Sequence, residues 1–187
     1  QPNDHGFQRW FALHAWAIPH HGNPGNFFRD GKPVGEIKGF AAQIAADEAI
    51  GWLEARRRDA PFFLSLSFVE PHGTIASPDA FNAQYAAHTD GVPDPMPNEG
   101  RPPANMAARG PGEYYANVTH LDHQVGRVLG RLDELGLRDS TVVVFTSDNG
   151  PVTRDWRQWW ELNLYGSAGD FRGRKGDLYE GGIRVPA

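Results

Sequence analysis

Apolar positions in this chain change period several times, and each change marks an element. From Ala41 to about Arg58, Ile44, Ala45, Ala49, Trp52 and Leu53 return at three- and four-residue steps, the period of a helix with one face on a core. Pro61 stops that pattern. Phe62 to Val69 is a short β-prone run with proline on both sides, which predicts a strand. Glu70-Pro71-His72-Gly73 follows directly, so His72 is expected just past the strand's carboxyl end. The clearest helix has Tyr114, Val118, Leu121, Val125, Val128, Leu129, Leu132 and Leu135 as one apolar stripe and Gly136 as its stop. Thr141 to Phe145, nearly all β-branched, predicts a second strand, buried on both faces.

Between these elements the pattern lapses. Residues 1–39 mix Pro, Gly, His and Asn with scattered aromatics and predict irregular surface structure. Residues 73–111 carry seven prolines and predict a long loop of the kind that forms lids or binding loops. Helix, strand, helix, strand is the order of a βαβ crossover. The expected fold class is therefore α/β, a mostly parallel sheet flanked by helices. Ligands in such sheets bind outside the carboxyl ends of the strands, where His72 and the pair Asp148 and Asn149 would both lie.

Composition narrows the partners. With 187 residues, 40% hydrophobic and 22% charged, the chain can bury a sizeable core. A net charge of −5 excludes a phosphate-binding field, so no nucleic-acid partner is expected. The basic run Arg56-Arg57-Arg58 reads as favourable charge at a helix C-terminus. Absence of cysteine removes disulfides and thiolate metal sites. No apolar stretch reaches membrane-spanning length. Gln-Pro-Asn-Asp-His-Gly, without methionine or signal peptide, reads like the interior of a longer protein.

The candidate chemistry lies mostly in the tail. Asp148-Asn149-Gly150 is by itself a turn signal, but a carboxylate and an amide oxygen at a strand end also suit a hard cation such as Ca²⁺ or Mg²⁺. Two oxygens are too few for a whole site. Lys175 alone reads as a solvated charge. Within Gly173-Arg174-Lys175-Gly176, small neighbours would let a phosphate or sulfate approach it. His72 alone is more often a structural or surface histidine than a catalytic one.

Taken together, Phe62-Phe63-Leu64 through Pro71-His72, Tyr115-Ala116-Asn117-Val118 with Leu121-Asp122, VVVFTSDNGP ending at Pro151, and GRKGDLYEGGIRVPA resemble the type I sulfatases of the alkaline phosphatase superfamily. That resemblance implies an alkaline phosphatase-like fold and a sulfuric ester hydrolase acting on a sulfated carbohydrate or aryl sulfate. It also implies Asp148 and Asn149 as metal ligands for Ca²⁺, with Mg²⁺ the alternative, and Lys175 and His72 as catalytic and sulfate-contacting residues. A formylglycine nucleophile, made from a Cys/Ser-x-Pro-x-Arg sequence, is part of the family mechanism. Neither form occurs in these 187 residues, so the expectation is a central part of a sulfatase catalytic domain, residues 1–187, truncated at both ends and inactive by itself. The formylglycine would then lie in a missing N-terminal part. Family membership suggests a periplasmic, secreted or lysosomal setting, while oligomeric state stays open. Alternatives are a phosphodiesterase or phosphonate hydrolase of the same superfamily, or a non-catalytic carbohydrate-binding or scaffold protein.

Weaker features complete the reading. Trp156, Trp159 and Trp160 would let a sugar ring stack on an indole, or form a core patch. His20 and His21 read as loop residues more readily than as a substrate subsite. Asn117-Val118-Thr119 matches a glycosylation sequon but falls inside the strongest helix, so it is discounted.

Overall fold

In the computed structural model, the described residues are 1–14, 17–18, 21–57, 59–73, 75–88, 111–152 and 165–187. The Trp156, Trp159 and Trp160 cluster, His20 and the middle of the expected long loop lie outside them.

Two helices carry the core. Helix α1 spans Ala41–Ala55, close to its expected extent, and α3 spans Pro111–Glu134. Ala46 and Leu53 of α1 meet Val128 and Leu132 of α3 in a buried cluster. Ion pairs from Arg127 to Asp47 and from Arg131 to Glu54, each at 2.6 Å, run along the rim of that contact. Helix α3 ends as the glycine signal requires. Gly136 takes φ +66°, its N–H reaches Asp133 O at 3.0 Å, and Leu137 N–H reaches Leu132 O at 2.9 Å, the paired bonds of a Schellman stop.

The expected apolar stripe of α3 is displaced in its first half. Asn117, His120 and Gln124 are buried there, and Val118 is exposed. Apart from Ala116, the large buried side chains become apolar only from Val128. Helical spacing makes 117, 120, 124, 128 and 132 one face; Asn117 on it bonds the loop at Ala76 and Ser77, while His120 and Gln124 bond each other and Gln124 bonds Arg127.

Residues 1–39 are more ordered than their composition suggests. Strands β1 (Phe11–Leu13), β2 (Phe27–Arg29) and β3 (Lys32–Gly35) form an antiparallel sheet in that order. Asp30 and Gly31 both have positive φ, +48° and +84°, which is the two-residue turn favoured in hairpins. Phe11 stacks on Phe27 at 4.5 Å, and Arg29 donates Nε and Nη2 to the two carboxylate oxygens of Glu48 of α1. The sheet is thereby fastened to the helix pair. The expected loop 73–111 also gains structure, a short helix α2 (Asp79–Asn82) and a 3₁₀ turn at Ala83–Tyr85.

Neither expected parallel strand forms a ladder among the described residues. Along 62–67 burial still alternates: Phe62, Leu64 and Leu66 pack on the helix core, whereas Phe63 is 76% exposed. From 142 to 145 no side chain is covered, with Val142 91% and Val144 76% exposed. A strand is defined by its hydrogen-bonded neighbours, and those are not among the described residues. A short helix α4, Glu180–Ile183, closes the described chain. Among the described residues no helix is long and apolar enough to cross a membrane.

Candidate active site

The turn at 147–151 and the glycine-rich tail fold onto each other through main-chain bonds. Gly150 N–H donates to Gly182 O at 2.9 Å, and Lys175 N–H donates to Pro151 O at 2.8 Å. Gly181 N–H reaches Arg172 O at 2.8 Å, and Thr146 Oγ1 reaches Pro186 O at 3.1 Å. Glycine is obligatory in this packing. A Cβ built on Gly150 would stand 1.9 Å from Gly181 O, and one on Gly182 would stand 2.3 Å from Asp177 O. Gly173 adds a positive φ of +85°.

This knot brings three of the four expected site residues together. Asp148 is exposed at the turn, Asn149 is half-buried beside it, and Lys175 is half-buried on the facing segment. Asn149 donates Nδ2 to Gly150 O at 2.8 Å, which leaves its Oδ1 as an acceptor on the same turn as the Asp148 carboxylate. Two hard oxygens on one turn match part of a Ca²⁺ or Mg²⁺ coordination sphere, which for calcium takes about six to eight. Among the described residues no group of three His, Cys, Asp or Glu side chains gathers to complete one.

His72 belongs to a different segment. Its main-chain N–H bonds Val69 O at 2.9 Å, making a turn directly after the extended run. Its Nδ1 lies 3.0 Å from Gly73 O, and since a carbonyl only accepts, Nδ1 carries the proton. Nε2 is then the nitrogen available for a ligand.

Sequence reasoning missed the residues that hold these segments. Glu70 is 5% exposed and accepts the Ala42 N–H of α1 at 2.7 Å, while His21 Nδ1 lies 3.8 Å from the same carboxylate oxygen. Burial pushes the Glu70 carboxyl up, opposed by the main-chain N–H groups around it. A carboxylate ending an apolar run was the available signal. Asn117, fully buried, donates Nδ2 to Ala76 O at 3.2 Å and Ser77 Oγ at 3.1 Å, which agrees with discounting its sequon. His21 is also fully buried, so it does not line a substrate subsite.

Arg174 donates Nη1 to Val152 O at 3.0 Å and Gly166 O at 2.9 Å, bracing the knot beside Lys175. Burial also raises the Tyr114 phenol, with Arg174 pulling in the other direction. The surface groove between α1 and α3, lined by Ile50, Glu54, Arg127, Gly130, Arg131 and Glu134, contains none of the expected site residues.

Comparison with known proteins agrees with this architecture. The sequence matches the Sulfatase family model over residues 1–187, and the chain belongs to the sulfatase family. It is 30% identical over 189 residues to "Uncharacterized sulfatase YdeN" of Escherichia coli (strain K12), covering 100% of this chain and 29% of that protein. An arylsulfatase of Clostridium perfringens (strain 13 / Type A) is 30% identical over 158 residues, covering 75% of this chain and 30% of the relative. The crystal structure of Ps i-CgsB superposes with a TM-score of 0.75 at 21% identity, covering 100% of this chain and 40% of that one. The fold is thus a partial α/β domain of the alkaline phosphatase-like kind. The chain spans about three-tenths of the length of these two relatives.

Proposed function

We propose that residues 1–187 are the central part of a sulfatase catalytic domain, and that the complete protein hydrolyses a sulfuric ester of a carbohydrate or an aryl alcohol. One observation carries the reading: the bond from Lys175 N–H to Pro151 O, which sets the cation-suited pair Asp148 and Asn149 beside a lysine in a glycine-rich segment. Family membership and relatives called arylsulfatase support the reaction class. A solved relative of 20% identity, described as bound to its substrate D-glucosamine-2-N,6-O-disulfate, supports a sulfated sugar among the substrates. Uncovered Val142, Val144, Phe145 and Phe63 support a domain completed by further strands.

Each residue then has a physical task. The Asp148 carboxylate and Asn149 Oδ1 would hold a divalent cation, Ca²⁺ or Mg²⁺, which when bound supplies Lewis-acid stabilisation of charge on the sulfate. Lys175 would neutralise a sulfate oxygen through its mobile ammonium. His72, with its Nδ1–H held by Gly73 O, would in its imidazolium form also present Nε2–H to the ester oxygen and pass it that proton as the sulfur–oxygen bond breaks, leaving the neutral Nδ1–H ring. The chain supplies no formylglycine precursor, having no cysteine and no Ser-x-Pro-x-Arg, so attack on sulfur falls to residues outside it.

The test is hydrolysis of an aryl sulfate and the matching phosphate esters by the complete protein, with and without a chelator. Sulfate turnover that is lost on chelation and in Asp148→Ala is expected, with none from the 187-residue polypeptide. Preference for phosphate esters would favour the phosphodiesterase or phosphonate hydrolase alternative. Sugar binding without any turnover would favour the carbohydrate-binding one.

A further inference from the structure

We propose that Glu70 and Asn117 are positioning residues that clamp the His72 loop at both ends, and so set where the His72 imidazole meets the leaving oxygen. The inference rests on the sulfatase reading only for the role of His72.

Glu70 lies two residues before His72, and its side chain is 1% exposed. Its Oε1 accepts Ala42 N–H, one of the first-turn donors that an α-helix leaves without an internal partner. The residue that usually serves there, Phe40 at the cap position, offers no side-chain hydrogen bond. A carboxylate at the positive end of a fifteen-residue helix also gains from the helix dipole. The loop is therefore fixed to α1 immediately before His72.

Asn117 does the same immediately after it. Its Nδ2 bonds Ala76 O and Ser77 Oγ, four and five residues past His72, and Asn82 Nδ2 holds Ser77 O at 3.1 Å. Ile75, 2% exposed, is buried between these anchors. His21 joins the two arms: its Nδ1 lies 3.8 Å from Glu70 Oε1 and 3.4 Å from Asn117 Nδ2, and its carbonyl accepts Ala41 N–H at 2.8 Å. Burial makes the bonds of Glu70 Oε1 and Asn117 Nδ2 costly to lose, while Glu70 Oε2 and Asn117 Oδ1 have no hydrogen-bond partner among the described residues. Displacing a reacting group by about 1 Å can cost on the order of 100-fold in rate, which is the scale on which such a clamp acts.

The experiment uses the complete protein, with Glu70→Ala, Glu70→Gln and Asn117→Ala. Turnover is measured on an alkyl sulfate, whose leaving oxygen needs the proton, and on 4-nitrophenyl sulfate, whose leaving oxygen needs it little. Both alanine variants should lose roughly 10- to 100-fold in kcat on the alkyl sulfate, much less on the nitrophenyl ester, with KM little changed. Glu70→Gln should recover most of the loss, because its amide oxygen still accepts Ala42 N–H. Hydrogen exchange at amides 72–73 and 75–77 should quicken in the alanine variants while α3 beyond Val128 stays protected. Equal losses on both esters, or unchanged exchange at those amides, would overturn the clamp. If the wild-type protein turns over no sulfate ester, the sulfatase reading fails, and exchange alone decides the clamp. Should Glu70→Ala not fold, Ser77→Ala, which removes a single bond of the clamp, takes its place in the same comparison.

Discussion

Side chains hold the loop that carries His72, whereas close main-chain contacts, braced by Arg174, hold the knot that carries Asp148, Asn149 and Lys175. In the first region Glu70, Asn117 and His21 reach from an extended run, a helix and a loop to fix one short segment. In the second, Gly150, Gly181 and Gly182 let backbones approach to where any side chain would collide. The two designs fail differently. Deleting a buried polar group leaves its partners unsatisfied at about 1–3 kcal/mol. Adding one methyl group to a backbone contact has nowhere to go. In the proposed roles, a histidine that must present one nitrogen would gain from adjustable partners, and a cation-and-anion pocket would gain from rigid carbonyl packing.

The largest expected effect attacks the knot. Gly150→Ala forces Cβ against Gly181 O and should cost at least about 3 kcal/mol, read as a fall in the urea midpoint of the complete protein. A midpoint unchanged by this substitution would show that the knot yields, and the contrast between the regions would collapse. Leu53→Ala, in the fully buried helix cluster, should cost about 3 kcal/mol by cavity formation while leaving both loops in place. If calcium affinity fell with it, the knot would depend on the helix pair more than its bonds indicate.

Acid should loosen the polar helix face first. Arg127 can only donate, so it takes Gln124 Oε1 at 2.7 Å and turns Gln124 Nε2 toward His120 Nε2 at 3.0 Å, which must then accept. Burial, with His123 and Arg127 adding positive charge, lowers His120 from 6.5 to about 4. The unfolded chain therefore binds this proton first. Stability from His120 is complete above about pH 6.5 and is lost as pH falls toward 4, up to about 3 kcal/mol. Urea unfolding at stepped pH should show that slope in the wild type and a flatter one in His120→Gln. Identical slopes would remove His120 from the account. Breaking the rim pair with Arg127→Met and Asp47→Ala in a double-mutant cycle should give the smallest effect, a coupling of about 0.2–1 kcal/mol, since both side chains are part-exposed.

Legibility followed the range of the interaction. Helices α1 and α3 were readable because their apolar spacing and the Gly136 stop are local. The Asp30-Gly31 hairpin was equally local and its signal was present, but scattered aromatics around it hid the short strands. Asp148, Asn149 and Lys175 were legible as residue types, and their meeting was an expectation that the bonds at Pro151 and Gly182 agree with. Glu70 and Asn117 were not legible as anchors. Nothing in a sequence tells a buried carboxylate with a helix N-terminus beside it from one in water.

By itself the sequence determined the two long helices and the family, and it named the residues proposed here for a cation and a sulfate. Short-range periodicity and specific runs such as GRKGDLYEGGIRVPA contain that information. Tertiary structure decided which polar residues are buried, which glycines touch, and that 62–69 and 141–145 stand without a ladder among the described residues. Burial, backbone contact and strand pairing all depend on neighbours distant in the chain, and a linear pattern does not name them.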